Sequence, residues 1–376
     1  MLRTLNCSAW VSEADKLPKG DGGSSPFADE GSLLHNCAEE YFKNEVISTA
    51  TMLRDGRAFG SANLTQELID TKLIPATQTV ADLGTSYGFD PFDQLIEPFV
   101  ELIPDESGGS IDMLAFSKDG KTAIVIDYKF GHVTVKAEEN AQMMFYALCG
   151  DVDPATTELF KRVENLVLVI VQPNADGPIA DVWETPITTL DQFEVDVYQA
   201  IEKSKDPARR EHVAGEWCKY CPALATCPIK TGAVQVAMRL DPRQAEDLSK
   251  LLKMIPDIEA HIKAASKLAY EQLNSGVPID GFKIVNKRAS RVWADDEVML
   301  DKVRKMKRIK LEDALNSKLK SPAQMEKLFS EKGIDKDELG DYIVSVSSGT
   351  TIAKSSDKRP SAIPTLALKA LADRLK

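Results

Sequence analysis

Residues 111–129, IDMLAFSKDGKTAIVIDYK, decide how the chain folds. Apolar and β-branched residues on either side of Asp119-Gly120 predict two strands, and Asp-Gly between such runs is a strong signal for a tight hairpin turn. A two-residue loop at this dipeptide sets the pairing of the strands. It places Asp112 directly opposite Asp127 on one face of the sheet, where facing Cβ atoms lie about 4.5–5.5 Å apart.

The two facing aspartates predict a cation site. Carboxylates at this separation repel each other, and a divalent cation removes the conflict because hard cations take oxygen ligands. Lys129 lies two residues after Asp127, so strand periodicity puts its side chain on the same face. Two acids with a lysine suit metal-assisted hydrolysis of a phosphodiester, in which the lysine stabilises developing charge or positions water. The alternative is a solvent-facing strand with scattered charges.

Strand and helix patterns interleave around this hairpin and predict an α/β fold. Residues 166–172, LVLVIVQ, form a continuous apolar run that is typical of a buried strand. Apolar residues recur at helical spacing over 30–50, 137–149 and 190–204. The first part of the chain is therefore predicted to contain a sheet with helices packed against it.

The sequence pattern changes after about residue 230, from interleaved strands and helices to mainly helical segments. Asp241-Pro242 opens a long helical pattern, and residues 282–293 indicate a short hairpin. Ser, Thr, Lys and Pro become frequent from about residue 347. We therefore expect three parts, which are a folded domain over 1–230, a mainly helical accessory region over 231–350 and a tail over 351–376.

The composition excludes several classes of protein. The chain has 376 residues, of which 43% are hydrophobic and 28% are charged, and these are ordinary values for a folded soluble protein. No apolar run reaches the roughly 18 residues that a membrane span needs. The first ten residues lack the apolar core of a secretory signal. We therefore expect a cytoplasmic protein without a membrane partner.

Charge is distributed unevenly along the chain. The net charge is −12, of which residues 1–230 carry −18 and residues 231–376 carry +6. Lys283, Arg291 and the run KVRKMKRIK at 302–310 predict contact with a phosphate backbone or, as the alternative, a solvated surface. The acidic first part argues against a protein that coats nucleic acid. It does not argue against an enzyme that meets phosphates through a metal ion.

Three cysteines lie close together in GEWCKYCPALATCP, residues 215–228. Their spacing is Cys218-x2-Cys221-x5-Cys227, and three thiolates so close suit one soft metal centre that needs a fourth ligand. Cys7, near the start of the chain, is the candidate for that ligand. Zinc and an iron–sulfur cluster both accept four thiolates, so the spacing alone does not decide between them.

The combination of motifs resembles a known nuclease superfamily. In chain order the motifs are EGSLLH ending in His35, Asp112-x14-Asp127-x-Lys129, Gln142-x3-Tyr146 and the three-cysteine motif. Together they resemble the PD-(D/E)xK superfamily and, within it, the RecB-like branch with a cysteine-bound iron–sulfur cluster. The blocks LNC, IDYKFG, ENAQMMFYAL and CKYCPALATC are similar to those of an uncharacterised phage and prophage family of such nucleases. One departure is Ser8 after Cys7, where that family often has proline.

The resemblance implies a restriction-endonuclease-like core, which is a mixed central sheet flanked by helices, closed by an iron–sulfur staple. It also implies a role for each matching residue. His35, Asp112 and Asp127 bind Mg²⁺ or Mn²⁺ with the Tyr128 carbonyl, Lys129 assists the attacking water, Gln142 and Tyr146 orient the site or the DNA strand, and Cys7, Cys218, Cys221 and Cys227 hold a 4Fe–4S cluster. Zn²⁺ at the four cysteines is the alternative.

The expected function is that of a metal-dependent deoxyribonuclease. The resemblance implies an exonuclease that acts on single-stranded or duplex DNA ends in phage recombination or replication, in the cytoplasm of a bacterial host. A phage single-strand annealing or single-strand binding protein is the expected partner. Two alternatives stay open, which are a non-catalytic DNA-binding or assembly protein that keeps the fold and a zinc-stapled structural protein.

Overall fold

The computed structural model describes residues 1–17, 25–43, 48–315, 319–347 and 349–362. The chain divides into two units, Met1–His261 and Ile262–Lys376. This boundary falls inside a long helix, whereas the sequence predicts a boundary at residue 230. Among the described residues, no helix combines the length and the apolar character that a membrane span requires.

Helices fill the N-terminal part of the first unit. They are α1 (Leu2–Asn6), α2 (Trp10–Ala14), α3 (Pro26–Lys43), α4 (Thr49–Arg54), α5 (Gln66–Leu68) and α6 (Ile74–Tyr87), with a π-helical turn at Ile69–Leu73 before α6. A small hairpin of β1 (Ala58–Phe59) and β2 (Ala62–Asn63) follows α4. The helix predicted over 30–50 is α3, which begins earlier than expected. Residues 44–47 lie outside the described residues.

A five-stranded mixed sheet is the centre of the first unit. The next strands along the chain are β3 (Leu95–Ile96), β4 (Phe99–Ile103), β5 (Ser107–Ser110), β6 (Met113–Phe116), β7 (Thr122–Tyr128), β8 (Asn165–Val171) and β9 (Ala180–Pro186). The sheet has the order β3-β6-β7-β8-β9, and β4 with β5 forms a separate antiparallel ribbon. β7 and β8 are parallel, and the other neighbours are antiparallel. The apolar run predicted as a buried strand is β8.

The β6–β7 hairpin has the predicted register. Met113 pairs with Ile126, so the same register continues to Asp112 and Asp127 at the open end of the hairpin. The connection runs over 117–121 rather than over two residues. The longer loop leaves the register unchanged, because the alternation of apolar side chains specifies which face of each strand is buried.

Helices cover both faces of the sheet. The remaining helices of the first unit are α7 (Ala141–Val152), α8 (Thr157–Phe160), α9 (Thr189–Lys205), α10 (Pro228–Ala237) and α11 (Ala245–Asn274), which contains the unit boundary. On one face, Ile124, Ile126 and Tyr128 of β7 belong to a core shared with α3 and α6. On the other face, Ala123 and Val125 belong to a core shared with α7 and α9. The first unit is therefore a mixed α/β structure in which helices flank a central mixed sheet.

The second unit combines helices with two antiparallel strand pairs. Its elements after α11 are β10 (Phe282–Asn286), β11 (Ser290–Trp293), α12 (Asp296–Lys305), α13 (Leu311–Ala314), α14 (Pro322–Glu331), β12 (Ile343–Val346) and β13 (Thr350–Lys354). β10 pairs with β13 and β11 pairs with β12, so the hairpin predicted over 282–293 is wrong. A core around Trp293 and Phe329 is shared by β11, α12, α13 and α14.

The tail predicted over 351–376 needs a correction. Its first residues, 351–354, belong to β13, in which Ile352 pairs with Ile284 of β10. The polar composition of this segment led to the prediction of a tail. The prediction failed because strand formation depends on packing against a partner, and the partner strand β10 lies far away along the sequence. Residues 363–376 of the predicted tail lie outside the described residues.

Candidate active site

The open end of the β6–β7 hairpin brings together the acidic residues that the sequence singled out. Asp127 lies near the end of β7 and is 3% exposed. Lys129 Nζ is 2.5 Å from Asp127 Oδ2. Asp112 immediately precedes β6, and its Oδ2 accepts a hydrogen bond from the Tyr128 amide at 2.5 Å. The two aspartates therefore lie on adjoining strand ends beside one lysine.

Helix α7 positions Gln142 and Tyr146 against Asp127. Asn140 caps the helix, because its side-chain oxygen accepts a hydrogen bond from the Gln142 amide at 3.0 Å. Gln142 Nε2 donates to Asp127 Oδ1 and to Tyr146 Oη, each at 3.0 Å. The Tyr146 ring lies under the β4–β5 ribbon, where a Cβ at Gly109 would be 2.9 Å from it. Gln142 of the predicted i, i+4 pair thus contacts the predicted carboxylate, and Tyr146 contacts Gln142.

Helix α3 brings His35 to Asp112. His35 Nδ1 lies 3.2 Å from Asp112 Oδ1. The imidazole packs edge-on against the Tyr128 and Phe130 rings, with centroids 6.0 and 5.3 Å away. These aromatic contacts hold the ring in place. Helix α3 therefore places a histidine beside the aspartate that precedes β6.

Glu97 is a site residue that the sequence analysis missed. The ligand atoms of His35, Glu97 and Asp112 all lie within 4.8 Å of one another. The Glu97 amide donates to the Asp112 carbonyl at 3.2 Å, next to the ribbon in which Phe99 pairs with Ser110. No local sequence signal marks Glu97; the pairing of β4 with β5 places it, because that pairing continues to the position opposite Asp112.

Burial and charge shift the pKa values of the site residues. Burial and the nearby Asp112 carboxylate raise the pKa of Glu97 to about 7. Burial also raises the pKa of Asp127, against the opposing effect of Lys129. Burial alone would lower the pKa of His35, but its hydrogen bond to Asp112 and the charge of Asp112 outweigh this effect and raise it. Carboxyl groups that resist ionisation side by side favour a bound cation.

One pocket is lined by all four cysteines that were predicted to bind the same metal centre. Cys7, Cys218, Cys221 and Cys227 border a space of about 410 Å³, its open mouth included. All four cysteines are described, and no three of their sulfurs lie mutually within 4.8 Å. Four sulfurs bound to a single Zn²⁺ at about 2.3 Å would lie about 3.8 Å apart. The sulfurs are therefore spread more widely than one tetrahedral zinc ion requires.

Contacts that do not involve sulfur join the two cysteine-bearing segments. Arg3 donates from Nη2 to the Tyr220 carbonyl at 2.7 Å and from Nε to the Trp217 carbonyl at 3.2 Å. The Glu211 amide donates to Ser8 Oγ at 2.8 Å. The N-terminal segment therefore docks on the cysteine-rich loop through its own hydrogen bonds.

Basic residues predicted to contact DNA have partners within the second unit. Lys283 Nζ donates to two backbone carbonyls, at 2.8 and 3.0 Å. Arg291 forms an ion pair with Glu326, and Lys302 donates to the Glu338 carbonyl. These three side chains therefore have structural contacts, and a phosphate-binding surface in this unit would depend on its other basic residues.

The fold and the site define a mixed α/β protein with a histidine–carboxylate–lysine cluster and a separate set of four cysteines. A family model described as "Protein of unknown function (DUF2800)" matches residues 2–360, so the chain belongs to the DUF2800 family. Among solved structures, it is similar to the crystal structure of a protein named SSO0001. The two share 14% identity over 61% of this chain and 84% of that chain, with a TM-score of 0.26.

Proposed function

We propose that the chain is a divalent-metal-dependent deoxyribonuclease that hydrolyses phosphodiester bonds. The observation that carries the proposal is the meeting of His35, Glu97 and Asp112 beside the Asp127–Lys129 ion pair. Three carboxylates close together are unfavourable unless charge partners compensate them. Exonucleolytic cleavage at DNA ends is the proposed mode, and it rests on the sequence resemblance.

The donor set fits Mg²⁺ or Mn²⁺. Carboxylate oxygens suit both cations, and one imidazole nitrogen is compatible with Mn²⁺. His35, Asp112 and Asp127, with the Tyr128 carbonyl, are the proposed ligands, and Glu97 adds a further carboxylate. Asp127 lies outside the group of ligand atoms within 4.8 Å. When bound, the cation would polarise a phosphoryl oxygen as a Lewis acid.

The protein side chains have separate roles in this proposal. Lys129 is held by Asp127 and is 30% exposed, so its ammonium can face a substrate oxygen and stabilise the charge that develops there. Gln142 holds one oxygen of Asp127 and the hydroxyl of Tyr146. Gln142 and Tyr146 are therefore proposed as positioning residues, which keep the Asp127 carboxylate in one orientation.

The proposal includes a 4Fe–4S cluster at the four cysteines, with Zn²⁺ as the alternative. The 4Fe–4S assignment rests on the sequence resemblance, because four thiolates accept either centre. A centre at this place would join Cys7 to Cys218 and its neighbours, and thereby close a very long loop of the chain. We therefore assign it a structural role.

Digestion of end-labelled DNA tests the proposed activity. Single-stranded and duplex oligonucleotides, labelled at the 5′ or the 3′ end, are incubated with the full chain and Mg²⁺ or Mn²⁺, with EDTA as the control. Stepwise shortening from one end supports the exonuclease and gives its polarity. Internal cuts would overturn the exonucleolytic mode alone. Intact DNA with both cations would overturn the nuclease assignment.

Asp127→Asn is expected to weaken Mn²⁺ binding by roughly 10-fold or more, because the amide removes a negative charge from the buried part of the site. Isothermal titration calorimetry with Mn²⁺ measures the change. Asp105→Asn is the matched control, since Asp105 is exposed on the β4–β5 ribbon and asparagine tolerates its φ of 62°. Wild-type affinity in Asp127→Asn would place the cation elsewhere.

Glu97→Gln is expected to lower Mn²⁺ affinity by roughly 10-fold as well, because the variant keeps the size of the side chain but removes a carboxylate from the close group. The same titration gives the affinity. Glu138→Gln, an exposed position shortly before α7, serves as the control. An unchanged affinity in Glu97→Gln would show that Glu97 is a neighbour of the cation site and not a ligand.

A further inference from the structure

Lys230 is a buried ammonium beside the four cysteines. Its side chain is 7% exposed, and the residue lines the cysteine pocket together with Cys227. Nζ lies 2.9 Å from Asp257 Oδ2, but the Asp257 side chain is 62% exposed. Water screens an exposed carboxylate strongly, so this partner compensates a buried charge only in part.

Two other sources of positive potential meet at the same pocket. Arg3 lines it, with its guanidinium 4.9 Å from the centre of the Trp10 ring. Cys227 is the N-cap of α10, and Pro228 begins the helix. The N-terminus of a helix carries partial positive charge and stabilises nearby anions. A buried lysine and an arginine therefore line the same pocket as four sulfurs that are anionic when they bind metal, and a helix begins at one of these cysteines.

We infer that Lys230 is the counter-charge of the four-thiolate centre. Four thiolates around Zn²⁺, or around an oxidised 4Fe–4S core, leave about two excess negative charges. A lysine buried at the edge of the pocket offsets this charge more strongly than an exposed lysine would, because burial reduces screening by water. Arg3 and the N-terminus of α10 add to the effect. The inference rests on the four-cysteine centre of the proposed function and is independent of the nuclease activity.

The rate at which the centre loses metal tests the inference. The purified full chain is mixed with pyridylazoresorcinol, which reports both released iron and released zinc, and the release rate is measured for each variant. Lys230→Met keeps an unbranched side chain that is one atom shorter and removes its charge, so we expect roughly 10-fold faster release. Lys230→Arg keeps the charge and should release metal at close to the wild-type rate.

Two further variants separate a charge effect from a structural effect. Lys219→Met is the matched control, because Lys219 is exposed, directly follows Cys218 and does not line the pocket. It should release metal at the wild-type rate. Asp257→Asn removes the competing carboxylate from Lys230 and should release metal no faster than the wild type. A purely structural ion pair would instead make Asp257→Asn as labile as Lys230→Met.

Different experimental results would contradict the role of Lys230 and the existence of the four-cysteine centre. Equal release rates for Lys230→Met and the wild type would overturn the role of Lys230 alone. If Lys230→Met does not fold, Asp257→Asn decides, because faster release in that variant contradicts the inference and equal or slower release supports it. A wild-type chain without iron or zinc would overturn the four-cysteine centre and this inference together, whatever the result of the DNA digestion.

Discussion

Lys129→Ala is expected to lower DNA cleavage by at least about 100-fold while Mn²⁺ still binds. The substitution removes the ammonium 2.5 Å from Asp127, and with it the proposed partner of the charge that develops on the phosphate. It also leaves a buried carboxylate without its ion pair, so we expect the free energy of unfolding to fall by roughly 1–3 kcal/mol. Initial rates on end-labelled DNA, Mn²⁺ calorimetry and urea denaturation measure the three effects.

The control for this prediction lies at the other end of the same hairpin. Lys121 forms an ion pair with Glu164 and is about half exposed, so Lys121→Ala should cleave DNA at the wild-type rate. Its stability should change little, because exposed ion pairs contribute little to folding. Wild-type cleavage by a folded Lys129→Ala variant would remove the catalytic assignment of this lysine.

Cys221→Ser is expected to abolish metal binding at the cysteine pocket and to destabilise the first unit. Serine is a poor ligand for a soft metal, and three thiolates hold such a centre weakly. The proposed centre would close a long loop between Cys7 and the cysteine-rich segment, so its loss should lower the free energy of unfolding by roughly 2–5 kcal/mol. Iron, zinc and acid-labile sulfide per chain, together with the thermal unfolding midpoint, report the result.

A cysteine outside the pocket is the control for Cys221→Ser. Cys149 is fully buried in the core shared by α7 and α9. Cys149→Ala should therefore keep the full metal content, even if the smaller side chain costs some stability. A Cys221→Ser variant that retains as much iron or zinc as Cys149→Ala would contradict the assignment of Cys221 as a ligand.

Local sequence signals were sufficient to predict the centre of the site. The Asp-Gly turn and the alternation of apolar residues set the register of β6 and β7, and hence brought Asp112 and Asp127 to the same end of the hairpin. The Gln142–Tyr146 pair was predictable because residues four apart on a helix are neighbours. Each of these inferences depends on residues that lie close together along the chain.

Features that depend on distant segments were missed. Glu97 lies fifteen positions before Asp112 and joins the site next to the β4–β5 ribbon. An acidic residue in a connecting region gives no local sign of that pairing. The β10–β13 pair was missed for the same reason, since its strands lie far apart along the chain. Packing and burial determine which strands pair, and the strand propensity of a single segment gives no information about its partner.

The docking of the N-terminal segment on residues 211–220 also has a consequence for biosynthesis. Arg3 and Ser8 find their partners only after Glu211, Trp217 and Tyr220 have been translated. Because a ribosome adds about 5–20 residues per second, the segment around Cys7 emerges many seconds before those partners exist. The first unit therefore acquires these hydrogen bonds only late in synthesis, and until then the segment around Cys7 lacks the partners on which it docks.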